Sequence, residues 1–170
     1  MNSLFKLASL LFILTTSIAS YGQSATASAS ATLVEAMAMV KVTDLNFGTM
    51  TVPTGASTVV LSTSNTRTVA SGDVTLLSNT PSSSVATFTV TGGGSMSYTI
   101  TLPNSVTITE TTGNTNTMTV SNFTSSSSNG SYTLDGTGTD LISVGATLSL
   151  GTDEIAGTYT GTFTVSVAYE

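Results

Sequence analysis

From Ile155 to Glu170 the chain alternates: Tyr159, Phe163, Val165, Val167 and Tyr169 share one phase, with Thr160, Thr162, Thr164 and Ser166 on the other. A period of two with one apolar face predicts a half-buried β-strand that ties the C-terminus into a sheet. The same pattern recurs upstream. Leu33 to Val42 is expected to be the first strand, with Val34, Ala36, Ala38, Val40 and Val42 as its apolar face and Glu35 and Lys41 opposite. L-V-E-A-M-A-M-V also has helical propensity, but V-K-V-T follows directly and favours a strand. Further strands are expected at Ser57–Ser62, Val74–Leu77, Val85–Thr91, Met96–Leu102, Val106–Ile108, Thr117–Phe123, Tyr132–Leu134 and Ile142–Leu150.

Turn signals separate these runs. Gly92–Gly94 predicts a hairpin joining Val85–Thr91 to Met96–Leu102, with the glycines supplying backbone freedom. Thr63–Gly72 (with Arg67), Ser78–Ser83 and Ser125–Gly130 are read as loops, and Asp135–Asp140 as a Gly-rich turn. Nine or ten short strands with frequent turns and no convincing helix predict an all-β chain, an antiparallel β-sandwich.

The N-terminus departs from this pattern. Lys6 followed by the apolar run Leu7–Ala19 and the small residues Ser20 and Gly22 reads as a secretory signal over residues 1–22, cut before Gln23. The run is shorter than the roughly 20 residues a membrane-spanning helix needs. Residues 23–32 are a low-complexity extension, and residues 33–170 are the expected β-sandwich domain. The mature protein is expected to be exported, in the periplasm, at the cell surface or outside the cell, without membrane insertion.

Charge narrows the partners. Without the leader only Lys41 and Arg67 are basic against nine acids, a net charge of about −7. Nucleic acid is not expected, because phosphate binding needs clustered Lys and Arg. The chain has neither His nor Cys. That removes the common nucleophile–base pairs, most zinc sites and disulfides. No cofactor, metal or catalytic residue is expected. Asp135 and Asp140 in a Gly-rich turn suggest a calcium loop, but the regular series of further oxygen donors is missing. A polar turn is the simpler reading.

Several segments, in order, carry a likeness: Leu45-Asn46-Phe47-Gly48, then Phe88–Gly92 and Tyr98–Pro103, then Val144–Leu148 and Ala156–Gly161. Over about residues 33–170 the series resembles the secreted bacterial domain-of-unknown-function family 4402. More distantly it is similar to the spore coat protein U class, which includes pilins of the archaic chaperone–usher type and whose members usually carry cysteines that this chain lacks. The resemblance implies an immunoglobulin-like sandwich, a cell-surface or fibre role and no catalytic residues.

Two functions follow as expectations. The first is a surface structural protein, a fibre or pilus subunit that assembles by β-strand addition. Val34, Ala36, Ala38, Val40 and Val42 would be the donated strand, and Phe163, Val165, Val167 and Tyr169 an assembly strand at the C-terminus. Its partners would be other copies of itself, other surface subunits and a periplasmic chaperone. The second is a monomeric, lectin-like or adhesin module that binds through the loops Thr63–Gly72 and Ser125–Gly130.

Overall fold

The computed structural model describes residues 21–113 and 115–170. The expected leader therefore lies outside the described residues except for Tyr21 and Gly22, as does Asn114 of the expected turn. Residues 21–32 belong to a unit separate from the body at 33–170, and all twelve are exposed.

The body is all-β, antiparallel and sandwich-like, with one strongly curled sheet. Ten strands occur among the described residues: β1 (Ala38–Thr43), β2 (Ser57–Leu61), β3 (Arg67–Ser71), β4 (Ala86–Thr91), β5 (Tyr98–Thr101), β6 (Ser105–Glu110), β7 (Thr117–Ser127), β8 (Thr139–Leu150), β9 (Tyr159–Thr160) and β10 (Ser166–Tyr169). The large sheet runs β1-β4-β8-β7-β6-β9, and the β2–β3 hairpin attaches to β8; β10 and β5 form a two-stranded sheet.

β8 organises the fold. Its apolar residues recur every second position and point inward: Ile142, Val144, Ala146, Leu148 and Leu150 are all buried. On one side its first half pairs with β4, Thr139 opposite Thr91, and its second half with β2, Leu150 opposite Ser57. β7 covers the other side, with a bulge between Ser121 and Thr124. A side chain as large as Ile142 or Leu148 contributes roughly 1.5–3 kcal/mol when buried. The core accordingly forms two clusters along β8. One holds Phe47, Val59, Leu61, Val120 and Leu148; the other holds Phe88, Val90, Tyr98, Ile142 and Val144.

Four local readings are corrected. β4 and β5 are not a hairpin, because both edges of β4 are occupied, by β1 and β8, so Gly92–Gly94 carries the chain across to the other sheet, where β5 meets β10. The C-terminal run is not one strand: Tyr159–Thr160 pairs with β6, and Ser166–Tyr169 pairs with β5. Arg67 is not in a loop but opens β3, since Val59–Leu61 folds back on Arg67–Val69. Ser125–Ser127, read as loop, extends β7 and pairs with Ile142–Val144. Serine runs read as loops by composition, yet these backbones have strand partners.

The first strand is also shorter and turned over. It begins at Ala38, and Met37 and Met39, not the Val–Ala series, pack on the core. Val34, Val40 and Val42 are 54%, 65% and 58% exposed, and Ala36 and Ala38 are exposed as well. The pairing Met39–Val90 sets the register: the buried partner Val90 fixes which face of β1 looks inward.

Candidate functional site

One concave feature among the described residues is an apolar groove of about 980 Å³. One wall is Asp44–Pro53 and the other Glu154–Phe163. The floor is the first core cluster and the residues packed on it: Phe47, Ile108, Met118, Val120, Leu148 and Leu150.

The Asp44–Pro53 wall follows directly from L-N-F-G. Phe47 is buried in the core. Asn46 Oδ1 accepts the Gly48 N–H at 2.7 Å, closing a tight Asx turn. Gly48 sits at φ +72°, and a Cβ there would lie 2.7 Å from the Arg67 guanidinium and 2.9 Å from Ser83 N. No other residue is accommodated without displacing that contact.

Arg67 is what holds this wall. Its guanidinium donates to the carbonyls of Phe47 (2.6 Å), Thr49 (2.9 Å) and Leu77 (2.7 Å). The sequence expects it in a ligand-binding loop; instead, three of its N–H groups go to backbone oxygens that bring residues 47–49 and 77 together. Beyond it, Thr51 N donates to Thr75 O and Leu77 N to Thr49 O, around the bridge Met50–Leu76. In that pattern the N–H and C=O of Met50, a residue that lines the groove, point away from residues 75–77.

The opposite wall contains β9. It pairs with β6 on one side only and ends the large sheet. The groove therefore lies between two backbone edges, over an apolar floor. Such an edge presents polar groups in the spacing of a strand partner. At this wall Glu154 Oε1 accepts from Gly151 N at 2.9 Å, while Oε2 is the buried side-chain oxygen without a hydrogen-bond partner among the described residues. Buried carboxylate oxygens are rarely left so. Tyr159 caps the same turn, its hydroxyl donating to Ile155 O at 2.9 Å; burial raises its pKa above the usual tyrosine value.

The C-terminal strand residues keep the expected inward phase. Val165 is buried, and Phe163, Val167 and Tyr169 pack on the second cluster. Phe163 stacks on Phe123 with ring centroids 5.0 Å apart and also lines the groove. Tyr169 Oη accepts from Gly93 N at 2.6 Å and donates to Glu35 O at 2.8 Å, which ties the entry to β1 to the last strand.

Asp135 and Asp140 do not converge on one point. Asp135 Oδ1 accepts from Thr137 N, Thr137 Oγ1 and Thr139 N, a self-contained turn. Asp140 is buried in β8 and accepts from Tyr98 Oη (2.6 Å), Ser127 Oγ (2.5 Å) and Ser128 Oγ (2.7 Å). Burial works to raise the Asp140 pKa, but the hydroxyls of Ser127, Tyr98 and Ser128 outweigh it and hold it below the usual aspartate value. Burial, with the hydrogen bond to and charge of Asp140, pushes the Tyr98 phenol up. Ser127 and Ser128 of the second candidate binding loop are thus committed to an internal network.

Among known proteins, the family model described as Domain of unknown function (DUF4402) matches residues 37–169. No curated protein and no solved structure matches the chain. The likeness to the spore coat protein U class rests on the sequence alone.

Proposed function

Since the chain belongs to the DUF4402 family, whose description assigns no activity, we propose its role from the groove: it is an exported, non-catalytic structural subunit of the bacterial cell surface, assembling into a fibre by β-strand addition. The observation that carries this is the pair of backbone edges at β9 and Met50 flanking an apolar floor. A strand laid between them would gain main-chain hydrogen bonds from the walls and specificity from the floor. A contact made by an extension on one copy and a groove on another is heterologous; where the rotation does not close, it gives filaments. An open apolar groove also needs cover before assembly, which fits a periplasmic chaperone as a transient partner.

The loop-based binding module has less support, because Arg67, Ser127 and Ser128 are bonded within the chain. The test is electron microscopy and sedimentation of the mature protein and of its Ile108→Asp variant. Ile108 packs at the floor, and a carboxylate there opposes strand entry. Wild type is expected to form fibres, and the variant, folded by circular dichroism, to remain monomeric. A wild type that stays monomeric at all concentrations refutes the proposal.

A further inference from the structure

Resting on the strand-addition reading, we infer that the groove is filled by residues 25–33 of a second copy, not by the Val34–Val42 segment, with Ala25, Ala27, Ala29, Ala31 and Leu33 turned to the floor. Availability decides between the segments. Ala38–Thr43 already pairs with β4, and Met37 and Met39 pack on their own core. Donating them would strip the donor's own sheet. Residues 21–36 belong to no strand and are exposed, with Tyr21 and Leu33 84% and 89% accessible.

The free segment has the chemistry of an inserted strand. From Ser24 to Leu33 small apolar residues alternate with Ser and Thr, and no charge occurs. Each groove wall runs for ten residues, Asp44–Pro53 and Glu154–Phe163, close to the nine of Ala25–Leu33. Large side chains are not required, because the floor supplies the apolar surface and the walls the backbone partners. An incoming N–H or hydroxyl would also supply the donor that Glu154 Oε2 lacks.

Connectivity selects a second copy. The extension leaves the body beside Gly93: Glu35 O is bonded to Tyr169, whose hydroxyl also takes the Gly93 N–H. That is the end of the sheet where Ala38 and Thr139 both face Thr91. The groove is lined by Leu148 and Leu150, the far end of β8. A chain turning back at Leu33 would run past residues 35–41, roughly 20 Å at the rise of a strand, before entering its own groove. Once the leader is cut before Gln23, the eleven residues Gln23–Leu33 do not suffice both to return and to fill it.

The test compares two double variants of the full mature chain, Ala27→Asp/Ala29→Asp and Val40→Asp/Val42→Asp, by ultracentrifugal pelleting and negative-stain microscopy. Thermal melts confirm that each is folded. The Ala variant is expected to lose its pelleted fraction and the Val variant to pellet like wild type. If the Ala variant pellets like wild type, the donor assignment is overturned while strand addition at the groove survives. If wild type itself never pellets, the strand-addition reading falls, and the assignment with it. Should the Val variant unfold, a synthetic peptide of residues 23–36 is added to the Ala variant, whose groove is intact. A raised melting temperature supports the assignment, and no shift overturns it.

Discussion

Asp140 is an acid at an inward position of β8, where Ile142 and Val144 continue the same face. A charge is retained there because three hydroxyls meet it. Truncating it leaves the buried Tyr98 hydroxyl without its acceptor and takes one from Ser128, while Ser127 keeps the Ser131 carbonyl. Asp140→Ala is therefore expected to cost about 3 kcal/mol and Asp140→Asn less, read from urea unfolding midpoints. The pH dependence follows from the two shifts. The Asp140 pKa is depressed in the folded state, so its contribution is present above the unfolded value of about 4 and is lost as pH falls through the folded value. The Tyr98 pKa is raised, so its contribution is complete below the unfolded value of about 10 and is lost as pH rises through the folded one. Stability measured against pH should be flat between these limits, and Tyr98→Phe should flatten the alkaline slope. The sequence hid this network. An aspartate after Gly-Thr-Gly-Thr reads as part of a turn, and neither Tyr98 nor Ser127 is near it in the chain.

At the scale of elements, the alternating pattern located most strands and the inward phase of the long ones, because β4 and β8 bury one face against one layer. It failed where the partner lies far away in sequence. A strand next to three glycines looks like half of a hairpin, yet β4 had both edges filled by β1 and β8. The phase of β1 was read from the bulkier Val series, whereas Met37 and Met39 face the core. The last strand divides between two sheets, and Tyr169 fixes its end through Gly93 and Glu35. Tyr169→Phe removes both bonds and keeps the ring. It is expected to destabilise by about 1–2 kcal/mol, with an unchanged denaturant slope and faster hydrogen exchange at the Gly93 amide.

For the whole molecule, the groove was legible only in part. L-N-F-G and the alternating C-terminal residues mark its walls in the sequence, but the gap between them exists only because β9 stops pairing after β6 and Arg67 draws residues 47–49 toward 77. Neither is a local property. The side-chain bulk of Val34–Val42 was legible for a related reason, whereas the pairing of β1 with β4 was not. One further consequence concerns tension. The N-terminal extension continues directly into β1, which is hydrogen-bonded along its length to β4. A pull directed along β1 loads that ladder in shear, so its bonds rupture together instead of unzipping one at a time. Whatever is tethered through the N-terminus draws on the β1–β4 pairing at the edge of the large sheet for its mechanical resistance.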